Sequence, residues 1–230
     1  MLTKKLFIHI PKNGGMTIRK SPLLSSKIIV ASEQYHISKT YTQELHRIMK
    51  ANNDHHGNEH ARYQDLSQDI QSSVDAFAII RNPWDRVVSR YFFAKKVIEV
   101  ERKVDKSYAD VSSFEAFLEE RHKWGNMPYM WHRAVRGWYP ALDHMTDTEG
   151  NLKCDVLSFE NYNQDVCDYF GLKEMSQARN VTALNKGSYM DLYTPETIKI
   201  IADWYKADID MFGYDFDGGP TKNIWRLENE

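Results

Sequence analysis

Apolar runs bounded by proline, glycine and polar turns divide this chain into alternating strand-like and helix-like segments. Residues 6–10 form a short apolar run that reads as a buried strand, and Pro11 ends it because proline has no N–H for a sheet ladder. Residues 27–31 read as a second strand, rich in β-branched side chains. The run at 76–80 is apolar throughout, as expected of a central parallel strand covered on both faces, and 154–159 reads as another buried strand. Between these lie helical spacings: a short helix at 16–24 stopped near Pro22, Tyr41, Leu45, Ile48 and Met49 within 41–51, and Trp84, Val87, Val88, Tyr91 and Ile98 after an Asn82-Pro83 start. Ser112 and Ser113 open a helix carrying Phe114, Phe117 and Leu118, residues 160–170 form one closed by Gly171, and Thr194-Pro195-Glu196 starts one with Ile198, Ile201, Ala202, Tyr205 and Ile209 on a face. The polar stretch 180–188, with Asn185, Lys186 and Ser188, reads as a loop, and the tail after Phe216 as loose.

The most chemically suggestive stretch is the first turn, Pro11-Lys12-Asn13-Gly14-Gly15-Met16-Thr17. Strand, basic glycine turn and helix start together point N–H groups and a positive dipole end at an anion. A phosphate-binding loop and an ordinary strand-to-helix turn both fit this spacing. A Walker A loop does not, because its lysine follows the glycines and Lys12 precedes them. Arg81, at the carboxyl end of the 76–80 strand, is a second candidate anion ligand, since guanidinium binds phosphate bidentately and ligands gather at that edge of open α/β sheets. Ser89 follows about two turns into the next helix. The turn-prone segment 52–60 carries His55, His56 and His60; a solvated histidine, a catalytic base and a metal ligand are the readings weighed, with Gly57-Asn58 opposing the helix that a His56–His60 metal pair needs. An aromatic segment, with Trp124, Tyr129, Trp131, Trp138 and Tyr139 among His132, Arg133 and Arg136, suits either a hydroxylated acceptor or a core edge.

Composition narrows the field. At 230 residues the chain suits one domain, 1–230, with a sizeable core. A net charge of −2 gives no basic surface for nucleic acid. No apolar run reaches the length of a membrane span, and the first strand leaves no room for a signal peptide. Cys154 and Cys167 are too few for a disulfide scaffold, so free thiols and a cytoplasmic location are expected.

Taken together, His9-Ile10-Pro11-Lys12-Asn13-Gly14-Gly15-Met16-Thr17 resembles the 5′-phosphosulfate loop of the carbohydrate sulfotransferases, and Arg81-Asn82-Pro83-Trp84-Asp85-Arg86-Val87-Val88-Ser89 looks like their 3′-phosphate motif. Phe159-Glu160-Asn161, Tyr205-Lys206-Ala207-Asp208 and Phe212-Gly213-Tyr214 are similar to the family's C-terminal half. The resemblance implies a P-loop-like three-layer α/β fold, a central mainly parallel sheet flanked by helices, using 3′-phosphoadenosine 5′-phosphosulfate (PAPS) with no metal. It implies that Lys12 contacts the phosphosulfate, that Asn13, Gly14, Gly15, Met16 and Thr17 form the 5′-phosphate loop, and that Arg81 and Ser89 bind the 3′-phosphate. His60-Ala61-Arg62-Tyr63-Gln64-Asp65-Leu66 looks like the histidine stretch of the heparan 2-O-sulfotransferase branch, related to the chondroitin enzymes, which makes His60 the expected base with His56 and His55 in reserve. The expected partner is a hydroxyl-bearing acceptor, a glycan or glycolipid. Ser158, where the family usually has arginine, and the missing proline–glutamine pair around 127–136 depart from the pattern. An ATP-dependent P-loop kinase and a non-catalytic nucleotide- or glycan-binding module of the same fold are the rival readings.

Overall fold

The computed structural model describes residues 4–175 and 187–222. Asn185 and Lys186 of the 180–188 loop lie outside the described residues, whereas Ser188 is described and its hydroxyl accepts from the Met190 amide. Four parallel strands, β1 (Lys5–Ile8), β2 (Ile28–Val30), β3 (Ala76–Ile80) and β4 (Cys154–Ser158), pair in the order β2-β1-β3-β4. Leu6 sits opposite Ile29 on one side and Ala76 on the other, and Ala78 opposite Val156. The helices are α1 (Gly15–Arg19), α2 (Lys39–Ala51), α3 (Gln68–Ser73), α4 (Pro83–Lys95), α5 (Phe114–Trp124), α6 (Leu142–Met145), α7 (Tyr162–Phe170), α8 (Pro195–Trp204) and α9 (Lys206–Phe212).

Period-2 alternation of the strand side chains builds two unequal layers on the sheet. Leu6, Ile8, Ala76, Ala78, Ile80 and Val156 face the larger one, with Met49 of α2, Val87 and Tyr91 of α4, Phe117 of α5 and Ile201 of α8. Phe7, Phe77, Ile79 and Leu157 face the thinner one, where Ile18 of α1 and Val166 of α7 close the core. This is a three-layer α/β fold with a parallel sheet, as the resemblance implied. β1 lies between β2 and β3, so the strand order reverses beside it, and the carboxyl edge of β1 and β3 is where an open sheet forms its ligand crevice.

Several boundaries differ from the sequence reading. α1 stops at Arg19, and tight turns bond Ser21 N to Ile18 O and Leu24 N to Ser21 O. The long helix expected after Thr194 breaks at Tyr205, whose hydroxyl accepts from the buried Arg90 and whose backbone leaves helical angles at φ −105°, ψ 27°. The chain after Phe216 is tied down in its described part. Asn82 Nδ2 donates to Asp215 O and Gly218 O, both at 2.9 Å, while its Oδ1 accepts from the Trp84 and Asp85 amides as the cap of α4. Asn82→Ala removes the cap and strands two carbonyls, so it is expected to cost about 2–4 kcal/mol. Urea denaturation should show this as a lowered midpoint with unchanged slope.

Candidate functional site

The turn after β1 is held by its carbonyl groups. His9 O accepts from His60 Nδ1 at 2.7 Å, Pro11 O from Arg86 Nε at 3.3 Å, and Lys12 O from Arg81 Nη1 at 3.0 Å. Asn13 adds a side-chain bond from Nδ2 to Ile79 O at 2.8 Å, tying the turn to β3, while its buried Oδ1 has no partner among the described residues. The amides of Gly14, Gly15 and Met16 find no backbone acceptor among the described residues. Lys12 (φ 69°) and Gly14 (φ 80°) both take left-handed angles. Glycine does so freely, and the lysine at a cost of about 1–2 kcal/mol, offset by the Arg81 bond to its carbonyl. At Gly15 a Cβ would lie 2.0 Å from His9 Cδ2, so the His9 ring occupies the space a side chain would need. Thr17 is buried beside Tyr162.

One stripe of α4 runs beneath this turn. Arg81 bonds Asp85 at 2.7 Å and lies over the Phe159 ring at 4.2 Å, leaving Nη2 unengaged among the described residues. Ser89 follows one turn beyond Asp85, and Phe93 one turn beyond Ser89 carries the Lys12 ammonium at 4.3 Å above its ring. Lys12, Arg81 and Ser89 are thereby brought to one edge. Burial, with the charges of Arg81, Lys96 and Arg90, lowers the Lys12 pKa to about 7.

His60 stands at the end of a single 3₁₀ turn, Asn58–His60, against the start of the same loop. A carbonyl only accepts, so the bond to His9 O fixes the hydrogen on His60 Nδ1 and leaves Nε2 as the basic nitrogen. The His60 and His9 rings meet at 4.3 Å. Burial lowers the His60 pKa to about 4, which keeps the ring neutral at pH 7. Next to it, Glu59 pairs with Arg19 of α1 at 2.8 Å and links the turn to the glycine loop's helix.

The model of the Sulfotransferase family matches residues 4–215 of this sequence, a span that contains the glycine turn, the α4 stripe and the His60 turn. The chain belongs to the sulfotransferase family. A crystal structure of a sulfotransferase from Alicyclobacillus acidocaldarius aligns at a TM-score of 0.45 and 18% identity, covering 94% of this chain and 98% of that one. A search of curated protein sequences found no match.

For this sulfotransferase-family enzyme the two reserve histidines lie elsewhere. His55 Nδ1 accepts from the Gly57 amide and its carbonyl accepts from Arg133, while the His56 ring packs tilted against His46, centroids 3.8 Å apart. Among the described residues no group of three or more histidine, cysteine or acidic side chains is placed to hold a metal, and no helix is long and apolar enough to cross a membrane. The aromatic segment turns inward. Trp131, Trp138 and Trp124 are covered by the guanidinium groups of Arg62, Arg90 and Arg136 at 3.6, 4.1 and 4.1 Å, which makes them core, not an open stacking platform. Arg86 and Arg19 were not singled out from sequence for the turn; Arg86 sits one helical turn from Asn82, and that spacing beside Arg81 is the signal available. Gly15→Ala should displace the His9 ring and cost about 1–3 kcal/mol by overpacking, measurable by chemical denaturation.

Proposed function

We propose that this enzyme transfers the sulfuryl group of PAPS to a hydroxyl of a carbohydrate acceptor, with His60 as general base. The observation that carries the reading is the 2.7 Å bond from His60 Nδ1 to His9 O, which brings the His60 turn against the start of the glycine turn. The residues fit a nucleotide with phosphate at both ends. Three loop amides without acceptors and the Lys12 ammonium suit the 5′ end, and Arg81 Nη2 with the Ser89 hydroxyl suits the 3′ end.

When bound, PAPS supplies a sulfuryl group activated by its phosphate leaving group. His60 Nε2 takes the acceptor's hydroxyl proton as the oxygen attacks sulfur. Lys12 and the amides of Gly14, Gly15 and Met16 hold the negative charge that grows on the departing phosphate oxygen. The acceptor leaves as its sulfate ester, and adenosine 3′,5′-bisphosphate remains with the loop. Glu160, the acidic residue just past β4, is engaged by the Asn82 amide and the Ser158 hydroxyl, both at 2.7 Å, an arrangement that gives the kinase reading no support.

Calorimetry with adenosine 3′,5′-bisphosphate, ADP and ATP tests the donor. Binding of the bisphosphate alone, weakened at least tenfold in Arg81→Ala, is expected, and equal binding of ATP overturns the donor assignment. His60→Ala should lower sulfuryl transfer to desulfated glycosaminoglycan oligosaccharides by about 10²–10⁴-fold while leaving bisphosphate affinity within twofold.

Lys12 gives the binding a pH dependence. With its free-enzyme pKa at about 7, the ammonium is present below that pH and lost above it, and a bound phosphate restores it. Bisphosphate binding therefore takes up a proton above pH 7. The dissociation constant should rise by up to about tenfold per unit between pH 7.5 and 9, a slope that Lys12→Met abolishes.

A further inference from the structure

The turn that carries His60 is fastened at three points, and one of them has no partner in the anion site. Glu59 is fixed through its side chain by Arg19, and His60 through its ring by His9 O. The third fastening holds the backbone. Gly57 O, where the turn begins, accepts both the His60 amide at 2.8 Å and His132 Nδ1 at 2.9 Å. His132 is fully buried and burial holds it neutral, its pKa lowered to about 3. Because Gly57 O can only accept, Nδ1 carries the hydrogen and Nε2 is bare. The Tyr41 hydroxyl, 2.9 Å from Nε2, must therefore donate to it. Every proton in the chain Tyr41–His132–Gly57 O is assigned by that one carbonyl.

The main chains also touch. Gly57 sits at φ 64°, and a Cβ there would fall 2.4 Å from His132 O, so this approach excludes any side chain. Tyr41 is itself located by α2, with its ring 5.2 Å from both Tyr129 and His36.

We propose that His132, ordered by the Tyr41 hydroxyl, is a positioning residue that sets the register of the His60 turn against the glycine loop. The two residues touch no reacting atom; they act through the Gly57 carbonyl. The proposal rests on the reading of His60 as base for its catalytic meaning. Its chemistry is that of an outer histidine whose second nitrogen is fixed by a hydroxyl, so that the first presents a hydrogen in one orientation.

The experiment pairs amide hydrogen exchange with kinetics in Tyr41→Phe, a variant that keeps the ring and deletes the donor. The His60 amide should exchange at least tenfold faster while amides of β1 and β3 keep their rates. With labelled PAPS and desulfated glycosaminoglycan oligosaccharides, kcat should fall about 5- to 50-fold with KM for PAPS within twofold. His132→Asn, whose amide can still reach Gly57 O, should retain more kcat than His132→Gln. In a His60→Ala background Tyr41→Phe should have no further effect on transfer. Unchanged His60 exchange and kcat in Tyr41→Phe, with transfer lost in His60→Ala, overturn this inference and leave the base reading standing. Full transfer in His60→Ala overturns both. General acceleration of exchange across β1 and β3 reduces His132 to a stability role and overturns the inference.

Discussion

The first turn is shaped by guanidinium groups bound to its carbonyls. Arg86, 1% exposed, reaches from α4 to Pro11 O and to Tyr139 O, and Arg81 reaches Lys12 O. Charge-assisted bonds of this kind are about twice as strong as neutral ones. They turn consecutive carbonyls of the loop toward α4, and the amides of Gly14, Gly15 and Met16 are left without backbone acceptors among the described residues. Left-handed Lys12 persists because its carbonyl is engaged. α4 in turn depends on Asn82, which caps it and binds the segment after Tyr214. A loop of a few residues thus owes its form to contacts with positions some seventy residues on.

The second fixed point is the His60 turn, and it meets the first through the His60 ring and the Glu59 carboxylate. His9 O is the junction, and Arg19 to Glu59 is a parallel link from α1. Arg136 and the Tyr108 hydroxyl bind Asp54 at 2.9 and 2.6 Å, at the start of the same 52–60 segment. That segment, polar and turn-prone in sequence, is clamped at both ends.

Much of this was legible in sequence. β3 was readable to the residue because an apolar run between polar turns has one good solution in a parallel sheet. The glycine turn, Arg81 and Asn82-Pro83 announced themselves by residue type and spacing. What escaped were features decided by long-range contacts. α3 was missed, and the break at Tyr205 follows from a bond to Arg90, which no local pattern encodes. The aromatic segment was ambiguous for the same reason: an arginine beside a tryptophan reads alike whether the stacked face is open or taken by the protein's own guanidinium. The arginines on Trp124, Trp131 and Trp138 come from 12 or more positions away. His60 is singled out in sequence by its neighbours in the chain as the expected base, while the carbonyl that orders its ring lies 51 positions upstream.

The choice of a backbone carbonyl as the partner of His60 Nδ1 has a consequence for successive turnovers. A carboxylate in that place would stabilise the imidazolium and hold the proton after transfer. A neutral carbonyl inside a buried setting does little of this, and burial lowers the ring's pKa to about 4, which makes the protonated ring a strong acid at neutral pH. Under the proposed reaction, the proton taken from the acceptor passes on to solvent or to the departing phosphate once the product moves. The base resets itself without a dedicated relay.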